Sequence, residues 1–451
     1  MKNTRRRFET FSFFEYTDID RHLTKMAKKG WLVEKISNLG WRYRRIEPKN
    51  LSFFVAYFPR SSAYDAEPTE EQKAYYEFCA HTGWKLAAEN AQMHIFYNEQ
   101  ENPTLIETDP VLKIETVHSA AQMSYLPTYF VFLLIAIVEF VRFGLKLKAD
   151  PIWNLSSTAY LFTSCAWLML LMHCTVELGG YFIWYARAKK AARRGEFAEA
   201  SNYSRRHKIL LVAAQIAFIY WFVTFVLLGD ALARTAGILI LVYTVGLVVF
   251  VNRIRELMKR KKIARGTNRK ATVILSFMIA FFLMGAIRFG LSQASENGLL
   301  DRREEMAPLT VEDLSDIECE GYYKSQGSNE SLLLELFYLW QSPSYDMEDY
   351  AHMPELEYTV VEPKLPFIYE LCKNSLLNKK ADNLNKTEYV SVYLSVDPAP
   401  WQAVEAYRVH WKNGFLNKYL LCYKTRMVEI SFSWEPTTEQ MAIIADIFSG
   451  E

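Results

Sequence analysis

The 451-residue sequence lacks the short motifs through which catalysis usually shows itself: it has no Walker A loop, no GxSxG, no HExxH and no Rossmann glycine fingerprint. Without a phosphate cradle, a nucleophile elbow, a zinc-bound water or a dinucleotide turn, an enzyme is not expected. The six cysteines, Cys79, Cys165, Cys174, Cys319, Cys372 and Cys422, lie far apart with no CxxC pair, so no zinc site, disulfide framework or cofactor is expected. They read as scattered small apolar side chains. The basic cluster Arg5, Arg6 and Arg7 has no apolar run behind it, as a signal peptide would require, and the start of the chain is expected to stay in the cytoplasm. A large net charge is missing too, since the whole chain carries only +1.

What the sequence does have is five apolar stretches, at about 125–143, 155–185, 209–228, 235–251 and 272–291. Each can cross ~30 Å of hydrocarbon at ~1.5 Å per helical residue. The second is longer than a crossing needs and ends in Trp184 and Tyr185, where interfacial aromatics belong. The connections divide by basic charge. Arg187, Lys189, Lys190, Arg193, Arg194, Arg205, Arg206 and Lys208 crowd the second, and nine Lys and Arg from Arg253 to Lys270 crowd the fourth. The first offers little beyond Lys146 and Lys148, and the third only Arg234. Lysine and arginine resist translocation, so the second and fourth loops are expected inside and the first and third outside. An odd number of spans then leaves the N-terminus cytoplasmic and the C-terminus extracytoplasmic.

The expected organisation is therefore α+β soluble domains flanking an all-α transmembrane block, with boundaries at 1–120, 121–292 and 293–451. In the first domain Gly30-Trp31 and Gly83-Trp84 each close a helix-like stretch and open strand-like runs. Thr17 with Asp20, and Thr69 with Gln72, resemble capping boxes. Ile19, Leu23 and Met26, then Tyr75, Phe78 and Cys79, recur at helical spacing, and the two glycines stand where a helix C-cap wants them. A duplicated helix-strand-strand unit of this order predicts a ferredoxin-like sandwich with Trp31 and Trp84 in equivalent buried places. The last domain holds 27 acidic and 13 basic residues. Alternating runs at 389–396, 419–423 and 427–434 predict strands, and Thr437 with Gln440 caps a final helix.

The pattern from Ile19 to Trp31, then Lys35-Ile36 and the run 41–46, followed by several spans, resembles the Gram-positive bacterial membrane proteins grouped as domain of unknown function 2812. The runs 401–407, 419–422 and 428–432 are similar to the outer domain attached to some members. The resemblance implies a PadR-like transcriptional regulator, or another cytoplasmic protein, as a partner class; it supplies no catalytic residue.

Ionisable side chains inside spans are costly and point to function by default. Glu139, His173, Glu177 and Arg288 are the candidates. His173 and Glu177 share a helical face at i, i+4, suited to an interhelical hydrogen bond or, with Cys174, to proton or ion handling. Glu139 and Arg288 lie at matched depth, so either they pair or Arg288 reaches the headgroups while Glu139 faces a polar cavity. The Arg-Phe-Gly-Leu that begins at Arg288 repeats the one at Arg142, as arginines snorkelling at one surface would. Basic loops beside spans are explained by topology, so direct nucleic-acid binding is not expected. The expectation is a multi-pass sensor or regulatory protein in the cell membrane, with a small transporter or export accessory subunit as the alternative.

Overall fold

The structure, a computed structural model, describes residues 3–9, 11–37, 40–198, 202–228, 231–296, 306–315, 321–344, 353–378, 392–412 and 414–450. The chain divides into two compact units, Met1–Ile137 with Leu168–Arg302, and Val138–Trp167 with Arg303–Glu451.

The first unit begins with a strand-helix-strand-strand module built twice. Strand β1 (Thr4–Arg7), helix α1 (Tyr16–Lys28), and strands β2 (Trp31–Lys35) and β3 (Trp41–Arg45) form the first copy. Strand β4 (Ser52–Tyr57), helix α2 (Glu70–His81), and strands β5 (Lys85–Asn90) and β6 (Met93–Asn98) form the second. Each copy makes its own three-stranded antiparallel sheet, ordered β1-β3-β2 and β4-β6-β5. The duplication extends to single residues. Gly30 and Gly83 end their helices at φ of 80° and 83°, a left-handed turn that glycine takes without a Cβ penalty. Four residues later, Glu34 and Ala87 are each the extra residue of a β-bulge, because the register steps from Val33 to Lys35 in one copy and from Leu86 to Ala88 in the other.

Three expectations need correction here. The element order suits a ferredoxin-like sandwich, but the strands form two three-stranded sheets whose edges β2 and β5 lie beside each other without joining. In both edge strands the bulge interrupts the regular pleat that a continuous ladder requires. Thr17 and Asp20 form no cap: α1 starts at Tyr16 behind Glu15, whose carboxylate accepts from the Ser12 N–H at 2.8 Å. Trp31 and Trp84 are not equally buried. Trp84 is 3% exposed and donates from Nε1 to the Thr104 carbonyl, whereas Trp31 is half-buried beneath the guanidinium groups of Arg5 and Arg45. The Thr69–Gln72 capping box is present. Its helix buries Gln72 and Cys79 and leaves Phe78 exposed.

Helix α3 (Pro110–Ala120), capped by Asp109, runs through a π turn at Ala121–Tyr125 into α4 (Leu126–Ala149). Short α5 (Pro151–Ser156) leads to α6 (Thr158–Ala192), followed by α7 (Asn202–Leu228), α8 (Ala231–Arg260) and α9 (Arg265–Glu296). Three helical segments are long and apolar enough to cross a membrane, Thr158–Ala192, Gly237–Arg260 and Arg265–Gln293; Leu211–Thr224 is a shorter apolar helix. Their flanks are covered by exposed Val, Ile, Leu and Phe side chains, the reverse of a water-soluble helix with one apolar stripe.

In the second unit, α10 (Val311–Leu314) precedes strands β7 (Tyr322–Glu330), β8 (Leu334–Pro343) and β9 (Leu356–Pro363), then α11 (Pro366–Leu377). Strands β10 (Val392–Val396), β11 (Glu405–Trp411), β12 (Gly414–Cys422) and β13 (Met427–Phe432) and helix α12 (Thr438–Phe448) complete it. The seven strands make one antiparallel sheet ordered β10-β11-β12-β13-β9-β8-β7. Register places Val360 opposite Val428 and Tyr358 opposite Ile430, so alternate residues line one face. There they form a core with Ile444 and Phe448 of α12, whose Thr437–Gln440 capping box is as expected. Of the expected strand at 389–396, residues 389–391 lie outside the described residues. Short α5 joins this unit: the Ser331 hydroxyl donates to the Leu155 carbonyl at 2.6 Å and Thr158 Oγ1 to the Glu330 carbonyl at 2.7 Å.

Candidate functional site

The segment Phe11-Ser12-Phe13-Phe14 before α1 carries three aromatic rings that no short polar linker needs. Phe14 is 2% exposed, with its ring centroid 5.7 Å from Tyr181 and 5.4 Å from Trp184 on α6. Phe13 stacks on Tyr125 at 5.6 Å, and Tyr57 donates from its hydroxyl to the Phe13 carbonyl at 2.5 Å. One continuous core therefore runs from Ile19, Leu23 and Tyr43 of the first sheet module to Leu178, Tyr181 and Ala188 of α6.

At its centre is Glu177. Its Oε2 accepts hydrogen bonds from Ser12 Oγ at 2.6 Å and Tyr125 hydroxyl at 2.8 Å, and all three side chains are buried. An ionised carboxylate removed from water is tolerable only with such partners, and bonds to a charged group contribute about 1.5–3 kcal/mol each. Tyr125 is aimed at Glu177 from the π turn. Beside this knot, His118 of α3 lies over Tyr185 with ring centroids 4.1 Å apart, and its Nδ1 is 2.6 Å from the Tyr181 hydroxyl. Burial, reinforced by Lys189, holds the His118 imidazole below its ordinary pKa.

A second buried polar group fastens α3 to the sheets. Lys113 is 4% exposed; its Nζ reaches Glu107 Oε2 at 2.7 Å and the Val55 carbonyl at 2.5 Å, and lies over the rings of Phe54, Tyr16 and Tyr57. Nearby Asp20 has its carboxyl pushed up to about 8, chiefly by burial, with Lys113 opposing and Glu107 reinforcing the shift. Burial likewise raises the Tyr16 phenol to about 12.

The four in-span candidates separate. Glu177 is the acceptor of the knot. His173, one turn away, sits 5.9 Å from the Tyr129 ring with a buried Nδ1 that has no hydrogen bond among the described residues. Cys174 is buried and free. Glu139 belongs to the second unit, where it pairs with Arg142 one turn along its own helix at 3.0 Å and lines a groove. Arg288 lies on α9 of the first unit. Gly30 and Gly83 form the helix-ending turns, Trp31 lies under Arg5 and Arg45, and Trp84 sits in the small core with Cys79. Ser12, Tyr125 and Lys113 were not singled out by sequence reasoning, and Asp20 only as half of a capping box; the aromatic run around Ser12 was the available signal. Among the described residues no group of three or more His, Cys, Asp or Glu is placed to hold a metal.

The arrangement is thus an α+β module clamped by buried hydrogen bonds and stacked rings to long apolar helices. Residues 15–129 of it match the family model described as protein of unknown function (DUF2812), so this segment is a DUF2812 domain, extending from the start of α1 through the π turn to Tyr129. The match covers both sheet modules apart from β1, together with Tyr125, and excludes Ser12 and α6. No curated protein and no solved structure matches the chain.

Proposed function

We propose that this is a five-span membrane protein whose cytoplasmic DUF2812 domain passes a signal from an extracytoplasmic C-terminal domain to a cytoplasmic protein, with a PadR-like regulator as the partner class the family resemblance suggests. The observation carrying the regulatory reading is the Ser12–Tyr125–Glu177 knot. A domain bonded this way to the side of a helix cannot keep its place when that helix shifts. The two additional spans are α4, of 24 residues and ~36 Å, and α7, of 27 residues and ~40 Å.

Two sets of contacts support the orientation. Within the first unit the DUF2812 domain holds the basic α8–α9 connection: Lys262 pairs with Glu67 at 2.6 Å, Arg265 donates to the Arg60 carbonyl at 2.7 Å, and Asn268 to the Tyr64 carbonyl at 3.2 Å. Within the second unit the acidic C-terminal domain holds the α4–α6 connection, which is poor in basic residues. Each domain thus grips a loop of the charge class assigned to its own side.

Affinity purification of the detergent-solubilised full chain, followed by mass spectrometry, tests this function. A cytoplasmic regulator should be captured by the wild type and lost from Glu177→Ala. The second reading, a transporter or export accessory, is favoured by the unpartnered His173 Nδ1. No captured regulator, together with substrate flux in proteoliposomes that His173→Ala abolishes, would replace the first reading with the second. Reporters fused after residues 195, 266 and 295 test orientation: inside, inside and outside are expected.

A further inference from the structure

Within the second unit, the end of α4 and the beginning of α6 enclose a groove of about 340 Å³. Glu139, Arg142 and Lys146 occur at i, i+3 and i+7 and so follow one face of α4. Phe140, Phe143 and Trp167 supply apolar walls, and Tyr160 stacks on Phe143 at 5.0 Å. The Tyr160 hydroxyl donates to the Phe143 carbonyl at 3.0 Å, so that wall is fixed by a bond as well as by packing. The charges are unbalanced. Glu139 is met by one nitrogen of Arg142, leaving other guanidinium N–H groups to donate. Lys146 has no acidic partner among the described residues. The groove therefore offers two cationic donors at one end and aromatic surface along its length.

We propose that this groove binds an anionic phospholipid, with the phosphate between Arg142 and Lys146 and an acyl chain against Phe140 and Trp167. A guanidinium and an ammonium together suit phosphate, one by its planar fork and the other as a point charge. The polarity of the site matches an amphiphile: positive charge toward the helix end, apolar wall toward the middle of α4. The site rests on the reading of α4 and α6 as membrane spans. It goes beyond that reading by assigning a ligand.

The test is native mass spectrometry of the full chain released from detergent after incubation with phosphatidylglycerol or phosphatidylcholine. One phosphatidylglycerol should be retained at least tenfold more strongly than phosphatidylcholine. Arg142→Gln with Lys146→Gln should abolish that preference, whereas Lys424→Gln, on the exposed β12–β13 turn, should leave it intact. If the double variant fails to fold, the wild type still decides: its melting temperature should rise with phosphatidylglycerol and not with phosphatidylcholine or inorganic phosphate. Equal retention of both lipids, or stabilisation by inorganic phosphate alone, overturns the lipid assignment and leaves the spans untouched. A chain that stays monodisperse in water without detergent overturns the membrane reading itself.

Discussion

The two copies of the sheet module share strand order, helix-ending glycine and bulge position, yet they bury themselves differently. Beneath α2 the second has a small closed core of its own, Trp84, Phe96, Cys79 and Ala56, while Phe53, Val55, Tyr57, Ala88 and Ile95 on the other face of its sheet join the large core that reaches the helices. The first has no such separate core: its buried apolar residues all lie in the large one, with those of α3, α4 and α6. Topology was copied while burial was reassigned, because both copies give a sheet face to the shared core and only the second sets its helix over a core of its own. A repeat seen in sequence therefore predicts equivalent backbones more safely than equivalent environments.

The largest expected contrast between the copies lies in the two tryptophans. Trp84→Ala should destabilise the full chain by about 3–5 kcal/mol as a core truncation, and Trp31→Ala, half-buried under two arginines, by much less; urea titration followed by fluorescence would measure both. Equal losses would mean that the first module has a closed core after all.

Next comes pH. Asp20 has no buried counterpart in the second copy, where the equivalent position is the half-exposed Lys73. Its carboxyl is raised to about 8 in the folded chain and titrates near 4 when unfolded. Between those values the folded state keeps a proton that the unfolded chain has released, so stability falls as pH rises from about 4 to about 8 and then levels off. The slope should approach ~1.4 kcal/mol per pH unit, and Asp20→Asn should remove it in melts recorded across that window.

Smaller effects distinguish the turns. Alanine at either helix-ending glycine forces a left-handed conformation, at roughly 1–2 kcal/mol. Gly30→Ala should be the worse, since its Cβ would stand 2.8 Å from the Ile46 carbonyl oxygen, whereas that of Gly83 meets side-chain nitrogens of Asn98 and Gln100 at 3.2 and 3.3 Å. The smallest contrast is at the caps. Thr69→Ala should lose about 1 kcal/mol and Thr17→Ala close to none, readable as a difference in melting temperature.

Legibility followed distance along the chain. The capping boxes at Thr69 and Thr437 span three residues and were readable, as were the glycine turns and the apolar stretches, because each is set by local chemistry. The clamp was not. Ser12 and Glu177 are 165 residues apart, and Tyr125 and Glu177 52 apart, and nothing in hydropathy says which polar groups will meet. Glu177 was found as a misplaced charge without its partners. Strand β1 was missed for another reason: Thr4-Arg5-Arg6-Arg7 reads as a charge cluster, though it pairs with β3 and sets Arg6 opposite Arg42.

The π turn at Ala121–Tyr125 sets the angular phase of everything after it. An α-helix advances ~100° per residue, and a π turn absorbs an extra residue by widening one turn. Helix α3 is bound to the sheets through Lys113, and the far end of the turn, where α4 begins, is bound to α6 through Tyr125, so the joint works as an indexing collar between two fixed faces. Removing one residue from it would restore an unbroken α-helix and swing the Tyr125 hydroxyl by about 100° away from Glu177. The domain and the first apolar helix would remain folded, connected and out of step.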